Sequence, residues 1–160
     1  DMAIYRAHLP LDLHPRLGNN AGLCKALKLK RSKPFFEEKG TPIGLRITTR
    51  IRRSVLANRL KTVLGASPVL LSGGPCECRK IGIVTGGAGS SLTRAAAEGI
   101  DTFITGEGPH WTGALAEELG INVFYGGHYA TETFGVKALA AQLSKKFKLP
   151  WGFIDHPTGL

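Results

Sequence analysis

The stretch Gly126-Gly127-His128-Tyr129-Ala130-Thr131-Glu132 places an imidazole and a carboxylate four residues apart. At that spacing the two groups can converge on one cation. A plainer reading has Glu132 meeting the positive end of a helix dipole, with His128 as a loop residue. Far upstream, His8-Leu9-Pro10-Leu11-Asp12-Leu13-His14-Pro15 offers a hard oxygen ligand in Asp12 and imidazoles in His8 and His14. Glu107 and His110, in Gly106-Glu107-Gly108-Pro109-His110, are candidates for moving protons beside a metal, with Glu107 as the general base. A capping or solvated pair explains them too. Gly86-Gly87-Ala88-Gly89-Ser90-Ser91 could cradle an anion through Gly86, Gly87 and Ser90, or form a tight turn capped by Ser90. It lacks the Lys-Ser/Thr ending of a P-loop and the full G-x-G-x-x-G spacing. His156 has no evident partner.

These residues need elements to hold them, and the second half of the chain supplies a rhythm. Ile81–Thr85, Thr102–Thr105 and Val123–Tyr125 read as buried strands closed by Gly86, Gly106 and Gly126, spaced by 20 residues each time. Leu92–Gly99 and Trp111–Gly120 are short, amphipathic and end in glycine, as crossover helices between parallel strands do. The spacing predicts that loops 86–91, 106–110 and 126–132 share one rim of a sheet, where α/β folds bind ligands. The helix after that rim spans 133–148, with Val136, Leu139, Ala140, Leu143 and Phe147 at helical spacing.

The first half reads less regularly. A strand is predicted at 3–7, then an irregular loop at 8–15 because of its two prolines. Asn19 or Asn20 is expected to cap a helix over 21–29, and Ser54 one over 55–64 that ends at Gly65. Residues 30–39 read as a charged connection, 42–49 and 68–72 as strands, and 73–75 as a turn. A last strand is predicted at Trp151–Ile154.

With 160 residues and 42% hydrophobic content, the chain can build a real core. Cys24, Cys76 and Cys78 make no disulfide framework, and Cys76-Glu77-Cys78 is a weak metal signal without a second pair. Reduced thiols, the lack of a long apolar run and the lack of a signal-peptide pattern lead to an expectation of a cytoplasmic protein. The net charge of +9 is local. Between Lys25 and Lys61 stand twelve Lys or Arg against Glu37 and Glu38 alone. That stretch could meet nucleic acid or nucleotide phosphates, or form a solvated face, or face an acidic subunit. It lacks the interleaved aromatics on which bases would stack.

The blocks His8-Leu9-Pro10-Leu11-Asp12-Leu13-His14-Pro15-Arg16-Leu17-Gly18-Asn19-Asn20, Thr85–Ser90, Asp101–Glu107 and Gly127–Gly135 stand in the order of a known family. The chain resembles the Nif-three-like proteins, known as GTP cyclohydrolase I type 2 homologues, over almost its whole length. The resemblance implies three-layer α/β/α units with mostly parallel sheet. Residues 13–128 would form the second unit, and 1–12 with 129–160 the remnant of an incomplete first. It implies a dinuclear metal centre on Asp12, His128 and Glu132, with His8 as a further candidate. The family's His-His pair would lie upstream, so the chain looks like the family's C-terminal two-thirds. One or two divalent ions (Zn, Fe or Mn) and a toroidal homohexamer are expected by the same analogy.

Two functions follow as expectations. One is a metal-dependent hydrolase of the cyclohydrolase kind, acting on a nucleotide-like small molecule with metal-activated water. The other is a non-enzymatic metal-binding scaffold or regulator that contacts protein or nucleic acid through Lys25–Lys61. Turnover lost in Asp12→Ala would favour the first, and salt-sensitive nucleic-acid binding indifferent to Asp12→Ala the second.

Overall fold

The computed structural model describes residues 2–157. Six strands form one sheet: β1 (Lys33–Glu38), β2 (Thr41–Arg52), β3 (Val69–Ser72), β4 (Glu77–Ile83), β5 (Thr102–Thr105) and β6 (Asn122–Tyr125), in the order β1-β2-β4-β5-β6-β3. The centre, β4-β5-β6, is parallel, with Ile83 beside Ile104 and Ile104 beside Phe124. β1, β2 and β3 join it antiparallel. The helices are α1 (Leu9–Asp12), α2 (Asn19–Ala26), α3 (Arg53–Leu64), α4 (Leu92–Ala97), α5 (Thr112–Glu118), α6 (His128–Thr131) and α7 (Thr133–Phe147). This is the expected α/β layering, and no helix among the described residues is long and apolar enough to cross a membrane.

Each sheet face has its own core, because successive strand residues point to opposite sides. On one face Leu23 and Leu27 from the α2 segment, with Leu56 and Leu60 of α3, pack on Ile47, Ile51, Ile81, Ile83, Ile104 and Phe124. On the other, Leu92 and Ala95 of α4 and Ala116 of α5 pack on Phe35, Phe36, Phe103 and Val123. Residues 103/104 and 123/124 thus serve both cores, and truncating Phe103 to Ala would cost about 3–5 kcal/mol.

The first half departs from expectation in several places. Residues 33–38 are a strand, where a connection was expected. Pro34 is tolerated because β1 is an edge, and adjacent Phe35 and Phe36 are both buried. Phe36 takes φ +64 between the Phe35–Gly44 and Glu37–Pro42 pairs, whose register is unshifted, and so joins the same core as Phe35. Alternation breaks there, which hid the strand. Residues 8–15 contain one helical turn, α1, since a proline at the start of a helix forfeits no bond. Neither 3–7 nor 151–154 is a strand, and the described sheet offers them no neighbour. Capping also differs: Gly18 precedes α2 and Arg52 precedes α3, so Asn19, Asn20 and Ser54 lie inside the helices. Gly65 does end α3, with φ +81.

Candidate metal centre

The rim loops are stitched by backbone. Gly106 N–H donates to the Gly86 carbonyl at 2.7 Å, and Gly127 N–H to the Gly106 carbonyl at 2.8 Å. The Gly86 carbonyl also accepts from Glu107 N–H and the Thr105 hydroxyl. Gly127 has φ 90, a glycine conformation, and it turns the chain straight into α6, which carries His128. Buried Thr131 locks that turn: its hydroxyl accepts from Gly86 N–H at 3.2 Å and lies 2.9 Å from the Gly127 carbonyl. Glu132 then sits between α6 and α7, on the same side as His128.

Two asparagines bring the N-terminal candidate ligand, Asp12, to this rim. Asn19 Nδ2 donates to Asp12 Oδ1 at 2.5 Å, while Asn19 Oδ1 accepts from Gly135 N–H in α7 at 2.6 Å. Asn20 Oδ1 accepts from Thr85 N–H at 2.9 Å, and its Nδ2 donates to the Ile43 carbonyl at 2.9 Å. Both are 4% exposed. Their amides join α1, β2, the end of β4 and α7, so an expected helix cap is instead the clamp of the site. Sequence reading missed this role; two consecutive asparagines at the start of an apolar helix are its trace.

The result is a cavity of about 310 Å³ whose wall includes His8, Asp12, His128 and Glu132. Ligand atoms of His8, Asp12 and Glu132 all lie within 4.8 Å of one another. His128 Nε2 is 3.5 Å from Glu132 Oε1, and its Nδ1 is 2.7 Å from Glu107 Oε1. Glu107 is therefore a partner of His128, the arrangement by which a carboxylate fixes the tautomer and orientation of a ligating imidazole. Its expected place beside a substrate proton is not where its carboxylate is bonded.

Charge in the cavity is crowded. Burial pushes the Glu132 carboxyl above its ordinary range, and Asp12 adds to that; the His128 ring opposes but does not win. The hydrogen bond to Glu107 raises the His128 ring above its usual value against the opposing effect of burial, and Glu132 and Asp12 add to the rise. Three carboxylates around two imidazoles make a place where a cation is favoured and a proton is its substitute.

The residues fit a divalent ion by their chemistry, since imidazole and carboxylate suit Zn, Fe or Mn. They also fit by space. A Cβ on Gly86 would collide with Glu132 Oε1 and come within 3.3 Å of His128 Nε2, so this glycine, with φ +77, leaves room for the donors. Thr85, in the cavity wall, holds the one buried side-chain oxygen among the described residues that lacks a hydrogen-bond partner.

The other candidates lie apart. His14 Nδ1 accepts from Arg16 and Leu17 N–H, closing its own turn. His110 and Ser90 are absent from the cavity wall, which takes Ser91 instead. The anion cradle expected of Gly86, Gly87 and Ser90 meets a competing use of backbone. N–H groups of Gly86, Ala88 and Gly89 are spent on Thr131, Thr105 and Glu107. Cys78 is fully buried, its thiol pushed up by burial, whereas Cys76 is exposed. His156 is held by its N–H on the Tyr129 hydroxyl at 2.8 Å.

Comparison with known proteins agrees with the sequence blocks. The family model described as Duf34/NIF3 (NGG1p interacting factor 3) matches residues 1–158. A Deinococcus radiodurans protein named "GTP cyclohydrolase 1 type 2 homolog" is 39% identical over 162 residues, covering 100% of this chain and 62% of that protein. A Yersinia pestis protein of the same name is 42% identical, covering 98% of this chain and 63% of its own length. The crystal structure of TTHA1606 from Thermus thermophilus superposes with a TM-score of 0.86 at 41% identity, over 98% of this chain and 62% of that one. The chain thus spans a little under two thirds of the length of these relatives.

Proposed function

The chain belongs to the Duf34/NIF3 family, and we propose that it is a divalent-metal-binding protein working as a metal-dependent hydrolase of a nucleotide-like small molecule. The observation that carries this reading is the convergence of His8, Asp12 and Glu132 within 4.8 Å, with His128 joining Glu132 at 3.5 Å. Asp12, His128 and Glu132 would hold the ion, and His8 would complete the set. The shared name of the relatives, "GTP cyclohydrolase 1 type 2 homolog", supports a nucleotide-like substrate.

A bound divalent ion supplies an acidified water and polarises the substrate. The protein's own part is positional. Glu107 accepts from His128 Nδ1, which leaves Nε2 free to ligate. Asn19 holds one Asp12 oxygen, which aims the other. Gly86 and Thr131, both buried, back the donors on one side, and Phe36, Ile43 and Val84 give the cavity an apolar wall.

The remaining parts of the reading rest on the shape of the chain. Residues 13–128 act as one α/β unit, while 1–12 and 129–160 belong with a second unit. Apolar residues exposed on 136–154, among them Val136, Phe147 and Trp151, support a neighbour there, and the proposed assembly is a homo-oligomer. One or two ions of Zn, Fe or Mn per chain are proposed.

Elemental analysis of the purified protein beside Asp12→Ala and His128→Ala tests the centre. Metal content should fall in both variants, together with metal-dependent turnover of nucleotides. Unchanged metal in both would remove the site.

A further inference from the structure

The charge between Lys25 and Lys61 gathers, in part, in one place away from the metal centre. β2 is 12 residues long, whereas α4, which covers the adjoining sheet on that face, has six. Where α4 stops at Glu98-Gly99, the sheet is uncovered and a groove of about 420 Å³ opens. Arg31, Lys33, Arg46 and Lys80 line it.

Three features set these cations apart from an ordinary solvated face. Lys33 and Arg46 are direct cross-strand partners, and like charges in that relation are destabilising. Arg46 is followed on the same face by Thr48, the partner of Lys80, so the positive row crosses three strands. None of the four cations has an ion-pair partner among the described residues; the groove's single carboxylate, Glu98, is 3.7 Å from Arg94. A fold that keeps repelling charges together and leaves them unneutralised has a counter-charge arriving from outside.

The geometry points to a groove that binds the phosphate backbone of a single nucleic-acid strand on Arg31, Lys33, Arg46 and Lys80 without reading its bases. Adjacent strands lie about 4.8 Å apart, so the row spans about 10 Å. A strand threading the groove can set one phosphate against each of the four cations. A lone phosphate would meet only exposed cations, each worth little in water, whereas a polyanion gains by releasing its counterions. No aromatic lines the groove, so bases have no platform. The cations lie inside a concavity, which a flexible strand enters and a duplex rod spans.

The test is anisotropy of a labelled oligo-dT strand with the purified protein as salt rises from 50 mM to 200 mM. Four phosphate contacts give a slope of log K against log salt of about −2.8, or about a 50-fold loss over that range. Arg46→Gln with Lys80→Gln should reduce the slope to about −1.4 and the loss to about 7-fold. A mixed-sequence strand should bind like oligo-dT. The melting temperature of the double variant should hold or rise, since it relieves repulsion. A slope indifferent to the double substitution, or tighter binding of a duplex, overturns the proposal. Displacement by polyglutamate as effective as by strand would assign the groove to an acidic protein instead. Strand binding should persist in Asp12→Ala; its loss there would assign the strand to the metal cavity, so the two readings fail separately.

Discussion

Gly86→Ala separates the space argument at the metal centre from ordinary backbone strain. Gly86 has φ +77, and a Cβ there would run into the Glu132 carboxylate and approach His128 Nε2. Gly65, at the end of α3, has φ +81 with nothing within 4 Å of the same atom. Both substitutions force an alanine into the left-handed region, at about 1–2 kcal/mol. Each should therefore lower the melting temperature of the metal-free protein by roughly 2–8 °C. Only Gly86→Ala must also displace a candidate ligand, and its metal affinity should fall by at least the roughly 10–100-fold typical of losing a ligand's supporting partner. Differential scanning calorimetry of metal-free protein, with isothermal titration of Zn or Mn into all three proteins, reads both effects. Gly86→Ala binding metal as tightly as Gly65→Ala would refute the reasoning, because the cavity would then have no need of that clearance.

Other outcomes are fixed by the same contacts. In metal-free protein the His128 ring should titrate above its ordinary 6.5, and Glu107→Gln should bring it down, as read from ring proton shifts. A raised folded value means that the stability linked to its protonation is complete below 6.5 and is lost as pH rises through the folded value. Asn19→Ala leaves the buried Gly135 N–H unpaired and frees Asp12, and should cost about 1–3 kcal/mol in urea unfolding. Asn19→Asp keeps the acceptor yet sets a second carboxylate against Asp12, so it should not restore metal affinity. Burial holds the Tyr125 phenol above its usual 10.0, with the Thr112 hydrogen bond pulling it partly back. Ultraviolet titration should show Thr112→Val moving it higher still. The associated stability is present below about 10 and is lost as pH rises through the folded value.

The parallel centre of the sheet was legible because its strands are short apolar runs closed by glycines at a fixed interval. That regularity follows from each strand–helix unit being the same length. The metal-ligand candidates Asp12, His128 and Glu132 were legible through their motif blocks; spacing alone joined only the last two. Nothing local in the sequence tells that Glu107 would face His128 Nδ1, since the contact arises only when two neighbouring loops are laid side by side by the sheet. The edge strand at 33–38 escaped because the left-handed backbone of Phe36 breaks its alternation. The absent strands at 3–7 and 151–154 had strand-like residues, but a strand needs a neighbour, and apolar sequence cannot say whether one is there.

The clamp formed by Asn19 also governs when the centre can exist. Asp12 and Glu132 are 120 residues apart, and their approach depends on a bond from Asn19 to Gly135. At about 5–20 residues per second, Asp12 leaves the ribosome roughly 6–24 s before Glu132. Closing so long a loop opposes assembly by about 4 kcal/mol of chain entropy until the sheet between the two ends has formed. Metal capture at the proposed centre would therefore be a late event in the life of the nascent chain. A chain holding an ion there would already have brought its Asp12 and Glu132 segments together.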